Sequence, residues 1–159
     1  MSEVITTGLG KWFRTDATLV SLMGTETVGE ATHALWFQEW REEEDLIKPN
    51  PAYGIFGEGS EEPLETGGLD RYTREPDSTY HFLILANDPD LCGQIKDRAF
   101  AMVRNCLRFT VGDYVIDEIR WGGSDRRPDV PVGYCREFRL ITHNVRYGGT
   151  TDPADVTIT

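Results

Sequence analysis

Apolar residues recur at every third or fourth position over residues 4–13, and this spacing predicts an amphipathic helix near the start of the chain. Thr15 or Asp16 is the expected N-cap of a second, shorter helix. That helix is expected to run to Met23, because Gly24 is a typical residue for ending a helix.

Three later segments are dominated by aliphatic and aromatic residues, which predicts β-strands at 34–40, 51–56 and 78–86. The third segment carries apolar side chains at both odd and even positions, so we expect it to be a central strand covered on both faces. Residues 57–77 are rich in Gly, Glu, Pro, Ser and Asp without an apolar period. They predict a long, mobile hairpin loop.

A long helix is predicted after residue 87. Asp88 can cap its N-terminus, and Pro89 suits the first helical position because the missing N–H is not needed there. The helix is expected to end near Leu107, with an apolar stripe at Leu91, Ile95, Ala99, Met102, Val103 and Cys106. Phe100 lies opposite that stripe, so we expect it to pack on a loop or to face another subunit.

Two more strands are predicted at 114–121 and 134–147, joined by a long link at 122–133. The order of elements predicts an α+β domain over residues 1–147, followed by a polar tail at 148–159. We expect a mostly antiparallel or mixed sheet of about five strands, with the long helix and the N-terminal helices packed on it.

The charge of the chain is concentrated in one region. The formal net charge is −11, and residues 26–70 hold twelve acidic side chains against two basic ones. Such a surface argues against wrapping a DNA duplex and suits a solvated face. The apolar segments are too short for a membrane helix, and the N-terminus lacks the pattern of a signal peptide, so no membrane partner is expected.

Cysteine and histidine spacings match no metal or nucleophile motif. The residues concerned are Cys92, Cys106, Cys135, His33, His81 and His143. The acidic run at 42–45 lacks the alternating ligands of a calcium loop, and Gly57–Ser60 does not make a phosphate-binding motif. We expect no catalytic residue, no cofactor and no metal.

Arginines at a hairpin tip are the strongest candidates for a contact surface. Arg126 and Arg127 stand beside Asp125 in the 122–133 link, and Arg forms bidentate pairs with carboxylates. They are either subunit contacts or part of a solvated turn. In the first case, the acidic stretch of the same chain would supply a complementary surface for a ring in which one face meets a different face of the next copy.

Several phrases of the sequence resemble the tail terminator (tail completion) proteins of long-tailed bacteriophages, over about residues 4–147. One is Asp16-Ala17-Thr18-Leu19-Val20-Ser21-Leu22-Met23-Gly24, which fits the phrase D-A-x-L-x-x-L-[MV]-G. The strands ALWFQEW and PAYGIF follow it, and then STYHFLILANDPDLCGQIKDRAFAMV runs from a strand into a helix through an Asp/Pro turn. The last strand contains the aromatic and basic run YCREFRL, from Tyr134 to Leu140.

The resemblance implies a structural protein of the virion, assembled in the host cytoplasm, rather than an enzyme. Such proteins form a hexameric ring that caps the head-proximal end of the tail tube. The implied partners are further copies of the chain, the tail tube protein and a head-closure or neck protein. DNA passes through the lumen of the ring without specific binding.

We expect the ring contacts to include the hairpin loops and one helix position. The residues are Arg126, Arg127, Asp125, Phe100, Glu61 and Glu62. Two alternatives remain at this point. One is a neighbouring head-closure or neck connector protein, and the other is a small cytoplasmic enzyme or ligand-binding domain whose pocket would gather His81, His143 and Cys135.

Overall fold

Three helices and ten strands make up the part of the chain that the computed structural model describes, residues 3–38, 46–61, 74–147 and 156–158. The helices are α1 (Glu3–Thr15), α2 (Ala17–Leu22) and α3 (Pro89–Asn105). The strands are β1 (Thr25–Val28), β2 (Ala31–Ala34), β3 (Trp36–Phe37), β4 (Ala52–Glu61), β5 (Arg74–Glu75), β6 (Ser78–Ala86), β7 (Phe109–Val111), β8 (Tyr114–Arg126), β9 (Tyr134–Tyr147) and β10 (Val156–Ile158).

One large sheet organises the described residues. Its strands follow the order β10-β7-β8-β9-β6-β4-β3, and β5 pairs with the far end of β9. The pairs β10–β7 and β3–β4 are parallel, whereas the others are antiparallel. The α+β class and the mostly antiparallel, mixed sheet are therefore confirmed. The expected number of about five strands was too low, because β3, β5, β7 and β10 are too short to leave a periodic pattern.

A row of aromatic rings crosses the middle of the sheet on the side that the helices cover. Phe82 of β6 stacks on Phe56 of β4 and on Phe138 of β9, with ring centroids 5.4 and 4.8 Å apart. Trp121 of β8 continues the row, 5.0 Å from Phe138. Phe13 of α1 packs against Phe82 from above. This stack forms the centre of the core and fixes the relative positions of four strands.

The first helix approaches the sheet closely because two of its inward-facing positions are glycine. A Cβ at Gly10 would overlap the ring of Phe56, and one at Gly8 would lie 2.5 Å from a methyl carbon of Val111. The helix predicted at 4–13 is confirmed as α1. Asp16 is the N-cap of α2, as predicted, since its side chain accepts a hydrogen bond from the Leu19 N–H.

The predicted strand at 34–40 is divided in the structure. β1 and β2 form a separate two-stranded hairpin, and Leu35 separates this hairpin from β3, which pairs with β4. We call residues 25–34 the arm. All side chains of the arm from residue 25 to residue 32 are exposed, and Ala34 at its base is buried. The apolar run that predicted one strand contains Leu35 and the buried Trp36 at the point where the arm meets the core.

Two long loops of the prediction are shortened by strands. β4 extends to Glu61 and pairs with β6 as far as Ser78, so residues 57–61 are strand rather than loop. β8 continues through Gly122 and Gly123, which form a β-bulge opposite Arg139. The connection from β8 to β9 is therefore confined to residues 127–133. Glycine, glutamate and aspartate obscured these strands because they are depleted in strands generally.

The long helix and the last long strand follow the prediction closely. α3 begins at Pro89 after an Asp88 cap and ends at Asn105, and β9 covers residues 134–147. At the C-terminus, β10 lies beside β7, so residues 156–158 join the sheet although the sequence placed them in a polar tail. Among the described residues, no helix has both the length and the apolar character needed to span a membrane.

Candidate functional site

The face of the sheet that points away from the helices is rich in charged side chains at its centre. Alternate residues of β6, β8 and β9 project to this side, since successive side chains of a strand point in opposite directions. We call this surface the charged face. Its members are His81, Glu118, Arg120, Asp125, Arg127, Glu137, Arg139 and His143.

Glu137 is the centre of the main ion-pair network on the charged face. Its Oε1 lies 2.6 Å from Nδ1 of His81, and its Oε2 accepts a hydrogen bond of 3.1 Å from Arg127. Arg127 also binds Asp129 through two hydrogen bonds of 3.0 and 2.9 Å. Burial raises the pKa of Glu137, but the hydrogen bonds from His81 and Arg127 outweigh it and leave that pKa below its ordinary value.

A concavity of about 380 Å³ adjoins this network, beside β4. Gly57 and Gly59 form its floor, and His81, Arg127 and Glu137 form its polar wall. A Cβ at Gly59 would overlap the imidazole of His81, so the glycine allows the ring to lie against the strand. His81 is thus held between a glycine and a carboxylate, which fixes its ring and directs Nδ1 to Glu137.

A second group of charges lies at the opposite end of the charged face. Nδ1 of His143 is 2.7 Å from Asp77, and Arg120 bonds to Glu118 at 3.1 Å. Both histidines of the charged face therefore have a carboxylate partner, Glu137 of β9 for His81 and Asp77, just before β6, for His143. Such pairs orient an imidazole.

A different concavity, of about 270 Å³, lies where β8 ends and β9 begins, beside the first turn of α3. We call it the arginine pocket. Its lining includes Pro89, Cys92, Arg126, Val130, Tyr134 and Arg136. Arg126 and Arg136 are directly opposite each other on the paired strands. Nη1 of Arg136 lies 3.4 Å from Ser124 Oγ, and neither guanidinium has a carboxylate partner in the described part of the chain.

This pairing of two arginines is unfavourable in isolation. Like charges directly opposite each other on adjacent strands repel, and here no carboxylate of the described residues compensates. A guanidinium pair of this kind can bind an oxyanion with several donated hydrogen bonds. Arg127 also lines the arginine pocket and is paired with Glu137 and Asp129, so Arg126 and Arg136 are the cations of this pocket that lack a carboxylate partner in the described residues.

The predicted contact residues fall in different surroundings. Asp125 accepts a hydrogen bond of 2.9 Å from Arg139, and Arg127 is paired with Glu137 and Asp129 of its own chain. Arg126 is exposed. Phe100 is 40% exposed and packs edge-on against Trp121, so one side of its ring is covered by its own sheet. Glu61 ends β4, whereas Glu62 lies outside the described residues, as does the acidic run at 42–45.

The structure does not bring His81, His143 and Cys135 together in one pocket, as the enzyme or ligand-binding alternative required. Cys135 and His143 both project from β9 to the charged face, but they are eight residues and about 27 Å apart along the strand. His81 pairs with Arg139, about 13 Å along the strand from Cys135. Burial raises the pKa of Cys135 to about 12, so the thiolate is disfavoured.

A second free cysteine, Cys92, is buried as well. Burial raises the pKa of the Cys92 thiol, and its Sγ lies 3.7 Å from the carbonyl oxygen of Ile84. No cluster of three or more His, Cys, Asp or Glu side chains suitable for a metal ion occurs within the described ranges.

Arg136 and Glu137 were missed in the sequence. The signal for Arg136 was available, because it occupies the same parity of β9 as the buried Phe138 and Leu140, where a charged residue is unexpected. The partnership of Glu137 with His81 depends on the register between β6 and β9, for which the sequence holds no local signal. Comparison of the chain with protein-family models, with curated proteins and with solved structures finds no match.

Proposed function

We propose that this chain is a tail terminator protein of a long-tailed bacteriophage, which closes as a ring, most simply a hexamer, on the head-proximal end of the tail tube. The sequence resemblance over residues 4–147 supports this proposal. The second support is the order of elements, in which two helices precede a strand that enters a long helix through an Asp/Pro turn, and a final pair of long strands follows.

The observation that carries the proposal is the structural role of the phrase at residues 16–24. Asp16 caps α2 and binds Arg98 of α3, while Leu19 is fully buried. Gly24 ends the phrase and donates its N–H to the carbonyl of Ala52 at the start of β4. The residues that carry the resemblance therefore form the junction of the helices, the arm and the sheet, where a family phrase would be expected.

A terminator acts by surface complementarity rather than by bond chemistry. One face of its ring must bind the last ring of the tube. The other face must bind a head-closure protein and must not bind a further tube subunit. The negative charge of the chain suits a lumen through which DNA passes, because acidic walls repel phosphates and prevent adhesion. The partners in this proposal are other copies of the chain, the tube protein and the neck protein.

Negative-stain imaging tests the proposal. The purified chain is imaged alone and after mixing with tail tubes of the bacteriophage whose genome encodes it. We expect rings, or caps at one end of the tubes, and tubes of defined length when the chain is present during their polymerisation. Bare ends on all tubes overturn the proposal. Binding to head particles without binding to tubes would instead identify a head-closure protein.

A further inference from the structure

The arm exposes an apolar and an acidic side chain together near its tip. Val28 is 50% exposed, and Glu30 follows it after the tight turn at Gly29. An isolated two-stranded hairpin is marginally stable in water, and this one buries almost nothing beyond its base. Glu26 has Arg14 nearby, whereas Glu30 has no ion-pair partner in the described residues.

The arginine pocket has the complementary chemistry. Arg126 and Arg136 form a pair of cations without a carboxylate among the described residues. The half-exposed Tyr134 and the small exposed part of Val130, which is 9% exposed, supply apolar surface in the same concavity. The pocket therefore offers a site for one carboxylate beside one aliphatic group, which is the pair of groups that the tip of the arm presents.

We propose that the arm of one copy docks in the arginine pocket of a second copy of this chain. Glu30 lies between Arg126 and Arg136 in this contact, and Val28 packs against Val130 and Tyr134. This inference rests on the proposed ring and names the contact that would close it.

A second copy is the occupant that the chain itself indicates. Within one copy the tip of the arm is exposed and takes no part in the lining of the pocket, so the two surfaces do not satisfy each other. They are different patches of one molecule, and such a heterologous contact repeats from copy to copy and closes a ring when the rotation allows it. Removing the repulsion between two opposed arginines adds to the favourable energy of the contact.

Charge reversal on both sides of the contact provides the experiment. The variants are Arg126→Glu and Glu30→Arg, and both positions are exposed, so we expect the folded monomer to be retained in thermal unfolding. Each variant alone opposes like charges across the contact. In a mixture, the altered arm of the Glu30→Arg variant meets the altered pocket of the Arg126→Glu variant, and the unaltered arm meets the unaltered pocket. In a ring in which the two variants alternate, every arm then meets an opposite charge at position 126, while Arg136 is unchanged in every pocket.

Sedimentation velocity on the full chain measures the outcome. We expect wild type to associate, each variant alone to associate at least about tenfold more weakly, and the equimolar mixture to recover part of the association, because Arg136 still opposes the reversed arm in half of its contacts. Lys11→Glu, an exposed position on α1 with the same change of charge, is the control and should associate as wild type does. Raising the salt concentration should weaken the wild-type contact, because its charges are screened.

Three results overturn the inference. The first is a wild-type chain that stays monomeric up to about 1 mM. The second is a mixture that associates no more strongly than either variant alone. The third is a loss of association with Lys11→Glu equal to the loss with Arg126→Glu. Tube capping separates this inference from the proposed function. If Arg126→Glu alone caps tubes as wild type does, the proposed arm contact is wrong and the proposed terminator function is retained. If the mixture recovers association but wild type does not bind tubes, the proposed arm contact is retained and the proposed terminator function is wrong.

Discussion

Asp16 and Arg98 join the junction between α1 and α2 to the middle of α3. Oδ1 of Asp16 accepts a hydrogen bond of 2.6 Å from Nη2 of Arg98, and Oδ2 accepts one of 3.0 Å from Nε. The same Oδ2 accepts the N–H of Leu19, so one carboxylate both caps α2 and holds α3. Burial raises the pKa of Asp16, but these bonds outweigh it and lower the pKa below its ordinary value.

Replacing Asp16 therefore removes two interactions that a set of variants can separate. Asp16→Ala loses the cap and the ion pair, for which we expect a loss of about 2 kcal/mol in the free energy of unfolding. Asp16→Asn keeps a capping oxygen and loses only the charge, so about half of that loss is expected. Urea unfolding of both variants, with Arg98→Ala as the matched control, checks this. Equal losses in the free energy of unfolding for Asp16→Asn and Asp16→Ala would show that the cap contributes nothing to stability.

Acid should destabilise the chain partly through Glu137. Its folded pKa is lower than its unfolded pKa of about 4.3, so the unfolded chain binds the proton first as the pH falls. The stability that Glu137 contributes is fully present above about pH 5 and is lost as the pH drops through the folded pKa. We expect the wild-type advantage over Glu137→Gln to hold above about pH 5 and to shrink as the pH falls below that value. Thermal unfolding of both proteins at each pH measures it, and a constant difference would contradict it.

Arg126→Glu and Arg127→Glu should differ sharply, although the residues are neighbours. Arg127 neutralises the largely buried Glu137, so its reversal should cost about 2 kcal/mol in the free energy of unfolding. Arg126 is exposed without a carboxylate partner in the described residues, so its reversal should change stability by less than about 0.5 kcal/mol. Chemical denaturation of the two variants at neutral pH decides this. Similar stabilities would mean that the Arg127 network contributes little.

Gly54→Ala should destabilise the chain, whereas Gly57→Ala on the same strand should not. A Cβ at Gly54 would overlap the buried indole of Trp36, and overpacking of this kind costs about 1–3 kcal/mol. At Gly57 the Cβ would meet nothing within 4 Å. Calorimetry should show a lower Tm for Gly54→Ala only, with Gly57→Ala equal to wild type or slightly above it. A tolerated Gly54→Ala would mean that the indole can shift.

Signals that act within one element predicted much of the fold. The Asp16 cap, the Asp88–Pro89 helix start and the strands 78–86 and 134–147 all depend on neighbouring residues, and all are present in the structure. The prediction failed where pairing overrides local preference. The glycine-rich and acidic end of β4 is a strand because β6 lies beside it, and no pattern within residues 57–61 indicates this.

The candidate site was predicted only in part, for a related reason. Arg126 was singled out and lies in a pocket, but its partner Arg136 and the network around Glu137 depend on strand register. The prediction for Arg127 and Asp125 was that they contact another subunit, and this stays a prediction. Their side chains already bind residues of their own chain, which leaves them less capacity for a partner.

The bulge at Gly122 and Gly123 determines which charges belong to which side of the molecule. Gly123 has a φ of 102°, a conformation that side chains rarely adopt, and the extra residue reverses the alternation of β8 beyond it. Asp125 thereby meets Arg139, while Arg126 is sent to the opposite side beside Arg136. A regular strand of the same length would exchange these destinations, so the bulge sets the side of each charge without altering a single charged residue. Because two residues of β8 lie opposite one of β9, the loss of either glycine would remove the bulge and leave Asp125 and Arg126 on their present sides.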